Sequence, residues 1–208
     1  MILDKVINKK TKDMILKRAW PLVMNIAHLL EDASHEAFSQ KHWMYLVNNI
    51  RIGDVLLSNS GNIFSTIFIP GKVKHAAIVT SENKSWPTVV EAVSSGVREA
   101  PLFDHLEGKK LLFHCRPKFI SGAVAERAAT VANSFIGSPY DHLFSLENSD
   151  FYCSELVLES YKEAYEQTHA KDGCFPLNTK VRYGEETYTP DDIRTDSKNW
   201  EVLWSNSK

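Results

Sequence analysis

Cysteine is scarce in this chain: three in 208 residues, Cys115, Cys153 and Cys174. An odd, widely spaced set does not make a disulfide framework, and none of the three sits in a C-x-x-C pair. Neither a stapled secreted scaffold nor a cysteine zinc cluster is therefore expected. An excess charge of either sign is also missing. With 24 Lys and Arg against 26 Asp and Glu, the net charge of −2 supplies no field to hold nucleic acid or an anionic membrane. The short apolar run PLVMNIAHLL is interrupted by Asn25 and His28 and falls far short of a membrane span. The N-terminus carries mixed charge and no clear cleavage site, unlike a secretion signal. These features lead us to expect a cytoplasmic protein without an integral membrane span. There are no internal repeats and no low-complexity tracts.

What is present is an ordinary globular mix, 43% hydrophobic and 24% charged, at a length suited to one domain and a core that holds without disulfides. Residues 12–48 carry helical spacing, with a break near Pro21 or Ser34, so 1–49 is read as an N-terminal helical segment and 50–208 as the main domain. From Ile52 the pattern changes to short apolar runs: IGDVLLS, then IFSTIFI ending at Pro70. KVKHAAIVT (72–80) and PTVVEAV (87–93) flank the polar turn SENKSW and read as a hairpin. KKLLFHC is a further strand, GAVAERAATVANSFIG a helix stopped by Gly137 and Pro139, and 151–167 a second helix with one apolar stripe. A helical turn after Pro190 precedes a last strand, NWEVLWS. The fold class is α+β, a small antiparallel sheet packed against helices.

Three residues invite chemistry. Cys153 stands near the start of the helix over 151–167, with Asp150 or Ser149 available as its cap. Free N–H groups and the dipole at a helix start favour a thiolate, so a lowered thiol pKa is expected. A lone cysteine there is nonetheless more often a small buried hydrophobe. In the hairpin, a turn centred on Asn83 places His75 directly opposite Glu91, on one side of the sheet. A polar pair inside apolar strands asks for a reason. A structural ion pair is one such reason; a base with its orienting carboxylate is another. Thiol, base and orienting group together are the parts of cysteine catalysis.

At these residues the chain resembles a known family. The blocks GDVLL, KHAAIV, VVEAV, GSPYD and FYCSELV, in that order over roughly residues 50–204, resemble the YiiX-like permuted papain-fold amidases, the circularly permuted branch of the NlpC superfamily. The histidine precedes the cysteine here, as that branch requires. The resemblance implies a permuted papain-like fold with Cys153 as nucleophile, His75 as base and Glu91 orienting it. It also implies that the helix bearing Cys153 packs across the sheet bearing the other two, and that the substrate is a small peptide-like or acyl-amide molecule, such as one derived from cell wall.

Neighbouring residues fill in the picture. The Cys153 N–H is the natural first oxyanion donor. Tyr152, Tyr140 and Glu155 are candidate substrate-binding residues, Glu155 for a cationic group, and Asp141 is placed to shape the approach. His114 and Cys115 point to opposite faces of a strand, and Cys115 and Cys174 are read as structural. His28, His35 and His42, with Glu31, are read as surface residues of helices. Metal hydrolysis by His75 and Glu91 would need a third ligand that the sequence does not place, so no metal or other cofactor is expected. Two rival readings stand beside amide hydrolysis: acyl transfer of the lecithin retinol acyltransferase type, and a binding module without catalysis. The oligomeric state is not legible.

Overall fold

The computed structural model describes residues 39–59, 69–146, 149–168, 175–182 and 185–207. The expected helices before residue 39 lie outside them, as do His28, His35, most of the IFSTIFI run and Cys174. The described chain runs α1 (Gln40–Asn49), β1 (Val55–Asn59), β2 (His75–Ser81), β3 (Thr88–Val93), β4 (Gly96–Pro101), α2 (Leu102–Leu106), β5 (Leu111–Pro117), α3 (Gly122–Ser134), α4 (Cys153–Thr168), β6 (Lys180–Arg182), β7 (Glu185–Thr187), α5 (Pro190–Thr195) and β8 (Trp200–Ser205). Six strands form an antiparallel sheet in the order β4-β3-β2-β1-β5-β8, and β6 pairs with β7 in a separate ribbon. The architecture is the expected α+β. No helix among the described residues is long and apolar enough to cross a membrane.

The alternation of side chains along the strands sorts them onto two buried faces. Val55, Leu57, Ala76, Ile78, Val90 and Cys115 meet Val124 and Ala128 of α3 and Leu156, Val157 and Tyr161 of α4. Leu56, Ala77, Val79, Val89 and Leu112 meet Leu46 of α1 and Leu102 and Leu106 of α2. Both sides of the sheet are thus covered, and α1 belongs to the second core. Tyr45 of α1 stacks on Trp204 at 5.1 Å, and Arg116 donates to the Asn49 carbonyl at the end of that helix.

The β2–β3 hairpin departs from the expected register. Glu91 faces Ala77, not His75, because the turn is centred one residue later than Asn83. Asn83 still organises the turn, its side-chain oxygen accepting the Ser85 N–H at 2.9 Å. A displacement of two residues keeps His75 and Glu91 on one face, as diagonal neighbours rather than direct partners. β4 and α2, which no sequence pattern announced, follow a two-residue turn at Ser94-Ser95. Gly96 opens β4 at φ +116°, and a Cβ there would stand 2.6 Å from the Ser138 carbonyl oxygen. That close approach lets Val97 exchange backbone hydrogen bonds with the 137–138 turn and so sets the course of the chain toward Tyr140.

Candidate active site

The helix that Cys153 opens is pinned at its first turn. α4 begins at Cys153, so Tyr152 holds the cap position, where Asp150 or Ser149 was expected. Glu155, three residues on, reaches back to accept the Tyr152 N–H at 3.2 Å, half of a capping box. The Tyr152 hydroxyl accepts the Tyr188 N–H at 3.0 Å, and the Ser154 hydroxyl donates to the Tyr188 carbonyl at 2.6 Å. These two bonds clamp the helix start to the segment leading into α5. Glu155 is buried, at 2% exposure, so it does not present a charge on an open helix face. Burial, with Asp141 nearby, raises its pKa to about 9 against the pull of the Tyr152 N–H, leaving a neutral acid.

Cys153 lies against β2. Its thiol donates to the Lys74 carbonyl at 3.9 Å, and the Ala76 N–H bonds to the sulfur from the other side of His75. The β2–β3 ladder starts at Ala77, so Ala76 is free of a β3 partner and available to the thiol. The expected packing of the cysteine's helix across the histidine's strand is seen, but the thiol's hydrogen bond goes to backbone flanking His75 and not to the imidazole. Burial pushes the thiol up to about 11, outweighing the N–H groups of Ala76, Ser154 and Cys153 that favour the thiolate. The helix start acts in the expected direction and is overridden by desolvation, so the resting group is a neutral thiol.

His75 leaves β2 toward the α2 side and meets Glu91, Nε2 to Oε2 at 2.8 Å. Glu91 is a hub. Its Oε2 also bonds Nδ1 of His105, from α2, at 2.8 Å, while Oε1 takes the Arg98 fork at 2.7 and 3.0 Å. Burial acts to raise the Glu91 pKa. The hydrogen bonds from His105 and His75 overcome it and hold the carboxyl well below the usual range. Burial lowers His75 to about 4, opposed by Glu91, so the imidazole rests neutral. Nε2 is committed to the carboxylate, and Nδ1 is the ring nitrogen not bonded to Glu91. Neither His105 nor Arg98 was singled out from the sequence. His105 is fully buried, and its other nitrogen, Nε2, has no hydrogen-bond partner among the described residues.

The remaining candidates lie around the thiol. Tyr140 pairs with Phe151 in an isolated bridge beside α4, and burial keeps its phenol well above the ordinary value. Asp141 is buried and accepts the Leu143 and Ser145 N–H groups at 2.7 and 2.6 Å, building a loop whose Phe144 packs on Tyr152 with centroids 5.4 Å apart. The Tyr152 hydroxyl, bonded to Tyr188, is committed within the protein. A second buried carboxylate, Asp54, binds His114 at 2.7 Å and the Arg116 fork at 2.7 Å, without a nucleophile among its partners. A cleft of about 380 Å³ beside α1 is lined by Tyr45, Asn49, Arg51, Glu82, Lys84 and Arg116 among others, and by none of Cys153, His75 and Glu91. One set of metal-ligand atoms converges among the described residues: those of His75, Glu91 and His105, all within 4.8 Å of one another.

Comparison with known proteins matches residues 49–203 to the family described as permuted papain-like amidase enzyme, YaeF/YiiX, C92 family. No curated protein matches the chain. Among solved structures, the chain is similar to a crystal structure titled as the metalloprotein YiiX from Escherichia coli O157:H7. The TM-score is 0.54 at 20% identity, covering 76% of this chain and 97% of that one, and the likeness is one of fold.

Proposed function

The chain belongs to the permuted papain-like amidase family and is a papain-like cysteine hydrolase; within that frame we propose that it cleaves amide bonds of small peptide-like substrates through an acyl-enzyme on Cys153. The observation that carries the reading is the thiol seated against the strand of His75, whose imidazole is held at 2.8 Å by an ionised Glu91. In the proposed cycle His75 Nδ1 takes the thiol proton as sulfur attacks the carbonyl carbon. The N–H groups of Cys153 and Ala76, which already face the sulfur, receive the developing oxyanion. Collapse breaks the C–N bond, and the imidazolium returns its proton to the departing amine. Water, deprotonated by the same nitrogen, then releases the acid. Glu91 fixes the ring tautomer and balances the imidazolium charge.

Because thiol and imidazole both rest neutral, proton transfer belongs to the attack step and does not precede it. Turnover of a panel of aminoacyl and short peptide amides, with mass spectrometry of the enzyme, tests the proposal. The wild type should carry the substrate's acyl mass on Cys153, and Cys153→Ala should neither turn over nor acylate. Acylation elsewhere, or hydrolysis that survives in Cys153→Ala, would refute it. Transfer of the acyl group to an added alcohol or amine in preference to water would shift the reading to an acyltransferase.

A further inference from the structure

The third ligand that the sequence could not place is supplied by α2. Glu91 Oε2 lies 2.8 Å from Nε2 of His75 and 2.8 Å from Nδ1 of His105, and the three atoms are mutually within 4.8 Å. We propose that His75, Glu91 and His105 form a binding site for a divalent cation of the zinc class, and that filling it switches the hydrolase off. Two imidazoles and a carboxylate are the donor set such ions take, with a fourth position left open. Ligand bonds of about 2.0–2.2 Å put tetrahedral donors roughly 3.4 Å apart, so the two 2.8 Å contacts need open by only a fraction of an ångström.

The site is built on firm supports. Glu91 sits in the middle of β3 and His105 on α2, their side chains at 2% and 0% exposure. Glu91 Oε1, the oxygen the cation would not use, is already oriented by the Arg98 fork, as ligating carboxylates usually are by a neighbouring donor. His75 alone among the three is partly open, at 17%, so entry and the free coordination position lie on its side. Binding requires the protons on His75 Nε2 and His105 Nδ1 to leave, each to the ring's other nitrogen or to water. On His75 that move places the proton on Nδ1, the nitrogen that must accept from Cys153. The cation thus takes both the carboxylate that orients the base and the lone pair the base works with. The switch rests on the hydrolase reading given above; the binding site does not.

The test uses cobalt(II) as a spectroscopic probe on the Cys153→Ala protein, which removes the thiol as an alternative ligand. One equivalent should bind with the visible absorption of four-coordinate cobalt. His75→Ala, made in the same background, should weaken binding at least about tenfold, as should His105→Gln. Circular dichroism establishes that each variant is folded; His75→Ala decides the matter if the buried His105 variant is not. Binding that both folded variants retain, or no binding in Cys153→Ala, overturns the site whether or not an amide substrate has been found. In wild type, one equivalent of zinc should suppress amide turnover and a chelator should restore it. Full activity with the site demonstrably filled would overturn the switch and leave the site standing. Activity that depends on zinc would overturn the switch and also count against the thiol mechanism.

Discussion

Replacing Glu155 by Gln should stabilise the protein relative to wild type by an amount that grows as pH rises, while keeping the cap's hydrogen bond. The carboxyl is 2% exposed, two residues from Cys153, and its pKa is raised from 4.5 to about 9 by burial, against the hydrogen bond from Tyr152. The folded chain therefore holds a proton here that the unfolded chain gives up above pH 4.5. Between 4.5 and 9 the native state binds more protons, and stability falls as pH rises. By pH 7 the accumulated loss is about 3 kcal/mol, from two and a half of the units separating the two states at 1.36 kcal/mol each. A glutamine has no proton to lose, and its amide oxygen still accepts the Tyr152 N–H. Urea unfolding followed by tryptophan fluorescence at pH 5, 7 and 9 reads the effect, provided the m-value is unchanged. The advantage of Glu155→Gln over wild type should be small at pH 5, a few kcal/mol at pH 7 and larger at pH 9. His75, lowered to about 4, contributes the opposite trend, with stability lost as pH falls below 6.5, but it does so in both proteins and cancels in the difference. The same variant examines the substrate-binding role expected for Glu155. A neutral cap replaced by a neutral amide keeps turnover, whereas a carboxylate that binds a cationic substrate would be missed in KM. A stability difference that does not change with pH, or a large rise in KM, would refute the reasoning.

Three further outcomes follow from the same geometry. Alkylation of Cys153 in the resting enzyme should accelerate steadily up to pH 10, toward its pKa of about 11, with Cys115, near 12 and fully buried, slower still; a labelling plateau below pH 6 would show a preformed thiolate–imidazolium pair. Glu91→Gln should leave a slow enzyme and Glu91→Ala a slower one, with barriers raised by a few kcal/mol in single-turnover acylation, about what losing a triad carboxylate costs; wild-type rates in both would make Glu91 a bystander. Asp54→Ala strands the buried His114 beside Arg116 and should lower stability by about 3 kcal/mol or more in urea unfolding while acylation of the remaining folded protein proceeds; unchanged stability would show that the cluster contributes nothing net.

The residues of the site differ in how far each was legible, and the difference is one of range. Cys153 at a helix start and His75 and Glu91 on adjoining strands are local facts, readable from an apolar stripe and a hairpin. The register was misjudged by two residues, yet side chains alternate with period two, so an even error preserved the face and Glu91's length closed the diagonal. An error of one residue would have put the two on opposite faces. His105 had no such signal. It lies on a five-residue helix too short to display a period, after an edge strand that itself escaped notice. Its contact with Glu91 spans fourteen residues and depends on β4 folding back over β3. The ionisation states were beyond local reading for a related reason. A helix start lowers a thiol's pKa by groups within a few residues, while desolvation comes from everything packed around it, the backbone flanking His75 included. For Cys153 that wider environment dominates. In the proposed mechanism the thiol therefore gives up its proton only as the sulfur attacks, because burial holds it neutral although the N–H groups that favour its anion are already in place.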